Sequence, residues 1–504
     1  MHFEPRVARK RCHARTRRWM AVGLAVATVV GCQTPDGGGA PTKCSAVAWP
    51  TVPNAKGKVY YVSQACGSAN ATGTKDQPFD GLGAAAKLAQ PGTTVVVAAG
   101  QYVTDFMVPG GVAVVGAGAG SVTFLPPIGA VSRLVFKGPG TNALRGVTVQ
   151  AGQAVALVVE GGDLDMSDVT VSGATTTDPK LHNAHGVQVS GAAKLQLQSC
   201  RISDNDGVGL LVAGKTEVVV TDPAAPSPRP QPDSKDPAAL AASWATASQI
   251  TGNQGGGIAL TGGASLTLTG TAIENCGNFG VGVWAGGQVS IDCTVIRDIH
   301  KLNGDSSEAV GIYGEEGQTT GAIVARDTVL TQCQRSCILV NGPATVTLDG
   351  VVSHAGYGGV AAQGKAAKLT VGSKAWVAEN GLFGIRVSSG ASAIVEGARL
   401  EKTLPVKWVS PRGGVPQDIG DAVFASSGAH VTVGAGTVIK ESYRAGVFFC
   451  GADTAASSIT GVQFSGAKIG IAVTAGSPPL GSNSGNMFEG VAQSLALDVS
   501  PGCQ

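Results

Sequence analysis

Aromatic residues make up only 5% of this 504-residue chain, and charged residues only 14%. Low charge combined with 43% hydrophobic residues excludes a disordered polymer, which would be charge-rich and short of aliphatics. Strong helix formers are scarce too, apart from "GLGAAAKLAQ" at Gly81–Gln90. The C-x-x-C spacing of a zinc site is missing. Nothing reads as a nucleophile motif or a phosphate-binding loop. What is abundant is glycine, at 74 residues, with Val, Ala, Leu, Ile and Thr around it. That mixture favours many short strands joined by tight turns.

The first 31 residues read as a targeting segment. Seven Lys or Arg between Arg6 and Arg18 precede an apolar run, Met20–Val30, too short to span a bilayer. The run ends in "VVGC", which resembles a bacterial lipobox with Cys32 as the lipidated residue. The resemblance implies export and a lipid anchor in the cell envelope. Residues 32–57 are expected to form a flexible tether. The targeting segment holds seven basic residues and one Glu, so the formal charge of +2 becomes −4 without it. No nucleic-acid partner is expected. Of nine remaining cysteines after Cys12 and Cys32, the expected disulfides are Cys333 with Cys337 and Cys44 with Cys66.

A repeat organises the rest. Units with an alternating strand, a polar corner and a Gly-flanked strand start at Leu266, Val289, Ile323, Val346, Leu369, Ile394 and Val431, with steps of 23, 34, 23, 23, 25 and 37 residues. The long steps carry the insertions "KLNGDSSE" and "LPVKWVSPRGGVPQDIG". Three short strands and three turns per unit make one coil of an all-β, single-stranded, right-handed parallel β-helix, a solenoid whose coils bury aliphatics only by stacking. Its expected extent is 103–504, with a Pro-rich excursion at 221–249 that strand hydrogen bonding does not tolerate. A monomer is expected.

Residues 58–102 read as an end cap: strand, polar loop, a short helix capped by Asp80, the stop "PG", and a buried strand Thr94–Ala98. The pattern from "YVS" through "PGTTVVVAAGQY" resembles the N-terminal cap of bacterial right-handed parallel β-helix proteins, a cap often classed as a domain of unknown function. The coils resemble those of pectate-lyase-like and carbohydrate-binding β-helices. That resemblance implies a superfamily of polysaccharide lyases, glycoside hydrolases, epimerases and proteins without known activity.

Stacking the units puts "SDNDG", "ENCGN", "HKLNGDSSE", "QCQRS", "HAGYG" and "ENGLF" on one corner, a polar strip along the solenoid. Such a strip suits a polysaccharide or another envelope component. The candidate ligand-binding residues are His300, Asp305, Glu308, His354, Tyr357, Trp408 and Arg412. Asn205, Asn275 and Asn380 read as turn-forming or stacked asparagines. Acid–base catalysis would fall to Asp178, His182, His185, Asp204 and Asp206, whose coils place carboxylates at glycosidase spacing. The alternatives are therefore a polysaccharide-cleaving hydrolase or lyase and, third, a structural spacer or adhesin. No cofactor is expected, except calcium in the lyase case, and no metal ligands stand out.

Overall fold

The structure, a computed structural model, describes residues 44, 47–52, 55, 57–103, 106–127, 134–177, 183–222, 248–301, 309–314, 321–408, 417–475 and 477–499. They all fall in one compact unit, Lys43–Gln504. Every strand pairing among them is parallel except that of Val406–Trp408 with Gln417–Ile419, an antiparallel pair within the second insertion.

Three parallel ladders run the length of the coils. The first includes Ser265–Thr269, Gln288–Asp292, Gly321–Arg326 and Ala344–Asp349. The second includes Arg201–Ser203, Ser248–Thr251, Thr271–Glu274, Val295–Ile299, Val329–Cys333 and Val352–His354. The third includes Val208–Ala213, Phe279–Val283, Val310–Gly314, Ser336–Asn341, Gly358–Gln363 and Phe383–Ser388. Side chains alternate between faces because strand periodicity is two. Leu266 and Leu268 point inward and are buried, while Thr267 between them is exposed. One contiguous core from Tyr60 to Val473 results.

The expected repeat holds with one slip. Leu266, Val289, Ile323, Val346 and Leu369 are register partners in succession, but Leu369 pairs with Ala393 rather than Ile394. Ala393 is 2% exposed and Ile394 is 46% exposed. The smaller Ala393 therefore faces the core and the larger Ile394 the solvent, because a one-residue shift exchanges the two faces.

Glycine is explained by a column at the head of the third ladder. At Gly359 an added Cβ would lie 2.2 Å from the carbonyl oxygen of Gly384, and at Gly280 it would lie 2.6 Å from that of Gly311. The next coil's backbone occupies that space, so a side chain is excluded.

The cap contains the helix Leu82–Leu88 and the buried strand Thr94–Val97. Gly81 is the N-cap, with no side-chain cap bond, so Asp80 does not cap it. Cys44 and Cys66 form a disulfide, and the Trp49 ring stands edge-on to Tyr61 at 5.0 Å. The latter part of 32–57 is therefore fastened to the cap rather than forming a free tether. Cys450 is disulfide-bonded as well. Cys333 and Cys337 are not bridged, contrary to the sequence expectation. Both are buried thiols, donating to the carbonyls of Thr331 (3.8 Å) and Leu330 (3.7 Å) respectively. The ladders run up to Thr221 and resume at Ser248, so they include both edges of the 221–249 segment. No helix among the described residues is long and apolar enough to cross a membrane.

Candidate functional site

The polar corner lies between the second and third ladders and consists of three columns. The innermost is buried. Asn205 donates from Nδ2 to Asn253 Oδ1 at 2.7 Å, and Asn253 donates to the carbonyl of Ile202 at 3.2 Å. Asn205 Oδ1 accepts the Ala174 N–H, and Asn380 Oδ1 accepts that of Gly356. Register puts Cys276, Ile299 and Cys333 at the equivalent depth in the coils between. The stacked-asparagine reading thus holds for Asn205, the turn-forming reading for Asn275 (φ 51°), and Asn380 binds the corner backbone through the Gly356 N–H and the Ser353 carbonyl. Asn253 belongs with them but was missed, because it follows the excursion that interrupts the repeat.

The second column is a run of left-handed backbone: Asp204, Asn275, Asp298, Gln332, Ala355, Glu379, Lys402 and Glu441 have φ between 49° and 58°. The turn imposes this conformation, which explains the Asn and Asp found here. It does not explain Gln332 or Glu379. The third column exposes Gln254, His300, Gln334 and Tyr357, each of which donates its backbone N–H to the buried column.

Between these outer columns lies an open groove of about 520 Å³, lined by Asn275, Asp298, His300, Gln332, Gln334 and Tyr357 together with Ile299, Cys333 and Ala355. His300 Nδ1 lies 3.2 Å from the Asp298 carbonyl oxygen. Tyr357 is 45% exposed and presents a ring face and a hydroxyl. Of the expected ligand-binding residues, the groove contains His300 and Tyr357; it adds Asp298, Gln332 and Gln334. His354 lies beside it on the second ladder. Asp305, Glu308 and Arg412 lie outside the described residues, as do the Trp408 side chain, Cys32, Asp178 and His182.

The described catalytic candidates serve the backbone. Asp206 Oδ2 accepts the Thr176 N–H at 3.0 Å, and His185 Nδ1 accepts the Val208 N–H at 3.1 Å. Burial pushes the His185 pKa below its ordinary value. A neutral imidazole that accepts at Nδ1 carries its proton on Nε2, so His185 has no free lone pair for a base. Asp204 is exposed and left-handed, with Oδ1 packed against Gly252.

A second titratable chain crosses the corner. Thr331 Oγ1 lies 3.3 Å from His354 Nδ1, His354 Nε2 donates to Glu379 Oε2 at 3.1 Å, and Glu379 pairs with Lys402 at 3.5 Å. The order is that of nucleophile, base and carboxylate. Thr331 is 3% exposed, however, so no substrate reaches its hydroxyl.

On another corner, Asp292, Cys293 and Asp327 bring ligand atoms within 4.8 Å of one another. Two carboxylates and a thiol do not form a calcium cage, which takes six to eight oxygens. Gly209–Thr216 reads "GLLVAGKT", the spacing of a phosphate-binding loop that the sequence reading overlooked. Here Val208–Ala213 is a strand, and Thr216 donates to backbone carbonyls of Gly191 and Ala213, so no anion cradle forms.

Comparison with known proteins agrees with this architecture. Residues 243–373 match the model of the family described as "Right handed beta helix region", and residues 65–227 match that of "Protein of unknown function (DUF1565)". A search of curated proteins finds no match. Among solved structures, pectate lyase Pel9A is 14% identical, with 67% of this chain and 74% of that one covered at a TM-score of 0.39. Dettilon tailspike protein is 11% identical, covering 85% and 68% at 0.40. The Azotobacter vinelandii mannuronan C-5 epimerase AlgE4 A-module is 11% identical, covering 83% and 93% at 0.28. Likeness this slight carries no activity across. From its stacked three-strand coils and its two family matches, the chain is a right-handed parallel β-helix protein.

Proposed function

We propose that this is an exported, lipid-anchored β-helix protein that binds an extended polysaccharide, or another hydroxyl-rich envelope polymer, along its polar corner. The observation that carries the reading is the groove of about 520 Å³ lined by Asp298, His300, Gln332, Gln334 and Tyr357. Two carboxamides, an imidazole and a carboxylate offer donors and acceptors to sugar hydroxyls, and the exposed Tyr357 ring offers a face to a pyranose. The groove is open and follows the solenoid axis, which suits a polymer passing over several coils. Cys32 after its apolar run motivates the anchor.

Glycan-array binding followed by calorimetry tests the reading. The paired variant His300→Ala, Tyr357→Ala is expected to lose at least tenfold in affinity for any neutral glycan bound by the parent. Unchanged affinity, or no glycan bound, would sink the proposal. Asp298 and His300 line the same groove, which favours polysaccharide cleavage as a second reading. That reading requires turnover that Asp298→Asn reduces at least a hundredfold.

A further inference from the structure

The side of the third ladder that faces away from the solenoid core holds an aromatic and cationic column that the corner groove does not use; Leu339, Ala361 and Phe448 in it are buried, and Arg386 is half-buried. Register stacks Tyr313, Leu339, Ala361, Arg386, Phe424 and Phe448 in one column. They alternate with inward residues such as Ile338, Val360 and Ile385, so the column faces away from the core. Arg386 sits in its middle. The Phe383 ring packs over Gly358, where an added Cβ would lie 2.7 Å from it, and the same ring lies 5.9 Å from the Arg386 guanidinium carbon.

Arg386 is electrostatically exposed to a problem it does not solve internally. Its Nε is buried and has no hydrogen-bond partner. None of the ion pairs among the described residues includes it. Its charged neighbour is another cation, Arg335, which has interactions of its own. Burial, with the Arg335 charge added, pushes the Arg386 pKa down. A guanidinium held in partial burial without an acceptor loses hydration that nothing in the chain replaces. Its planar fork matches an oxyanion bidentately, and flanking rings favour that geometry by keeping water away.

We propose that Arg386, in the field of Arg335 and against the Phe383 ring, is a binding site for an oxyanion, a carboxylate or sulfate group, carried by an acidic glycan. The site is argued from the sheet face alone and does not rest on the corner groove. An anion there pairs with the half-exposed end of the Arg386 guanidinium and offsets its charge beside Arg335.

The test uses the full chain with three probes: oligogalacturonate, dextran sulfate and neutral dextran. Calorimetry is run at low and at 300 mM salt, with Arg386→Met and Lys368→Met as variants. Binding of at least one acidic probe is expected, weakened by salt, at least tenfold weaker in Arg386→Met and unchanged in Lys368→Met, which removes an exposed cation elsewhere on the solenoid. Which acidic probe binds tells carboxylate from sulfate. Arg386→Met is also expected to melt at or above the parent's temperature, because it removes a poorly solvated charge. Three outcomes overturn the proposal: no acidic probe binds, Arg386→Met binds it as the parent does, or Arg386→Met melts several degrees lower. The last would mean that the guanidinium is already engaged by the fold.

Discussion

Substituting Ala for Asn253 leaves three buried groups without partners. Asn253 is fully buried, and its Oδ1 accepts two hydrogen bonds from Asn205, from Nδ2 at 2.7 Å and from the backbone N–H at 3.3 Å. Its own Nδ2 donates to the Ile202 carbonyl at 3.2 Å. Each buried polar group left unmade costs about 1–3 kcal/mol. Three such groups sum to about 3–9 kcal/mol, and a water entering the small polar cavity recovers part of that. The expected loss is therefore about 3–5 kcal/mol, near the low end of the sum. Urea denaturation of the parent, Asn253→Ala and Asn205→Ala measures it. Because the two side chains share one hydrogen bond, the double variant should lose less than the sum of the singles. Amide exchange should speed up at Asn205 and in its neighbouring coils. A loss under about 1 kcal/mol, or strict additivity, would refute the idea that the asparagine pair holds this corner.

Asp421 is 1% exposed and accepts from Arg444 Nε at 2.9 Å, from a second Arg444 nitrogen and from the Ala445 N–H. Asp421→Ala leaves Arg444 without its counter-ion and is expected to cost about 3 kcal/mol by thermal melting, since breaking one side of a buried pair is expensive. His185 gives a pH signature. Its folded pKa lies below the ordinary 6.5, so between those two values the unfolded chain binds a proton that the folded chain does not. Stability should fall as pH drops through about 6.5 and level off below the folded pKa, and His185→Gln should flatten that part of the curve; a parent curve flat between pH 7 and 5 counts against it. Thiol labelling at pH 8 should reach Cys293 first, because it is only half-buried. Burial holds Cys200 and Cys276 up at about 11, so these should react only after denaturation.

The period was legible because it is local. Alternating aliphatics, polar corner residues and a recurring glycine report what each coil requires of its own strands, and they imply the β-helix without any long-range information. The cap's helix and its buried strand were readable for the same reason. The polar corner is legible in the sequence, and so is the structural role of Asn205, Asn275 and Asn380. Contact across coils was not legible. Ile394 looked inward on size, but only the ladder shows Ala393 in that place. Asn253 was hidden behind the excursion. His185 and Asp206 read as acid–base candidates on the corner, but a backbone N–H from another coil occupies the His185 Nδ1 lone pair and another binds Asp206 Oδ2. Cys333 and Cys337 looked bridged by their spacing, but each donates to an interior carbonyl.

Composition and repeat thus determined that this chain winds into stacked coils with one chemically varied corner. Tertiary structure alone decided which corner residues meet. It set Asp298, His300, Gln332, Gln334 and Tyr357 around one groove, and it left Arg386 on another face beside a second cation. The physical reason is register. Side-chain direction repeats every two residues along a strand, whereas neighbours in the next coil are some 23 residues away, and any insertion or one-residue slip between coils changes who faces whom.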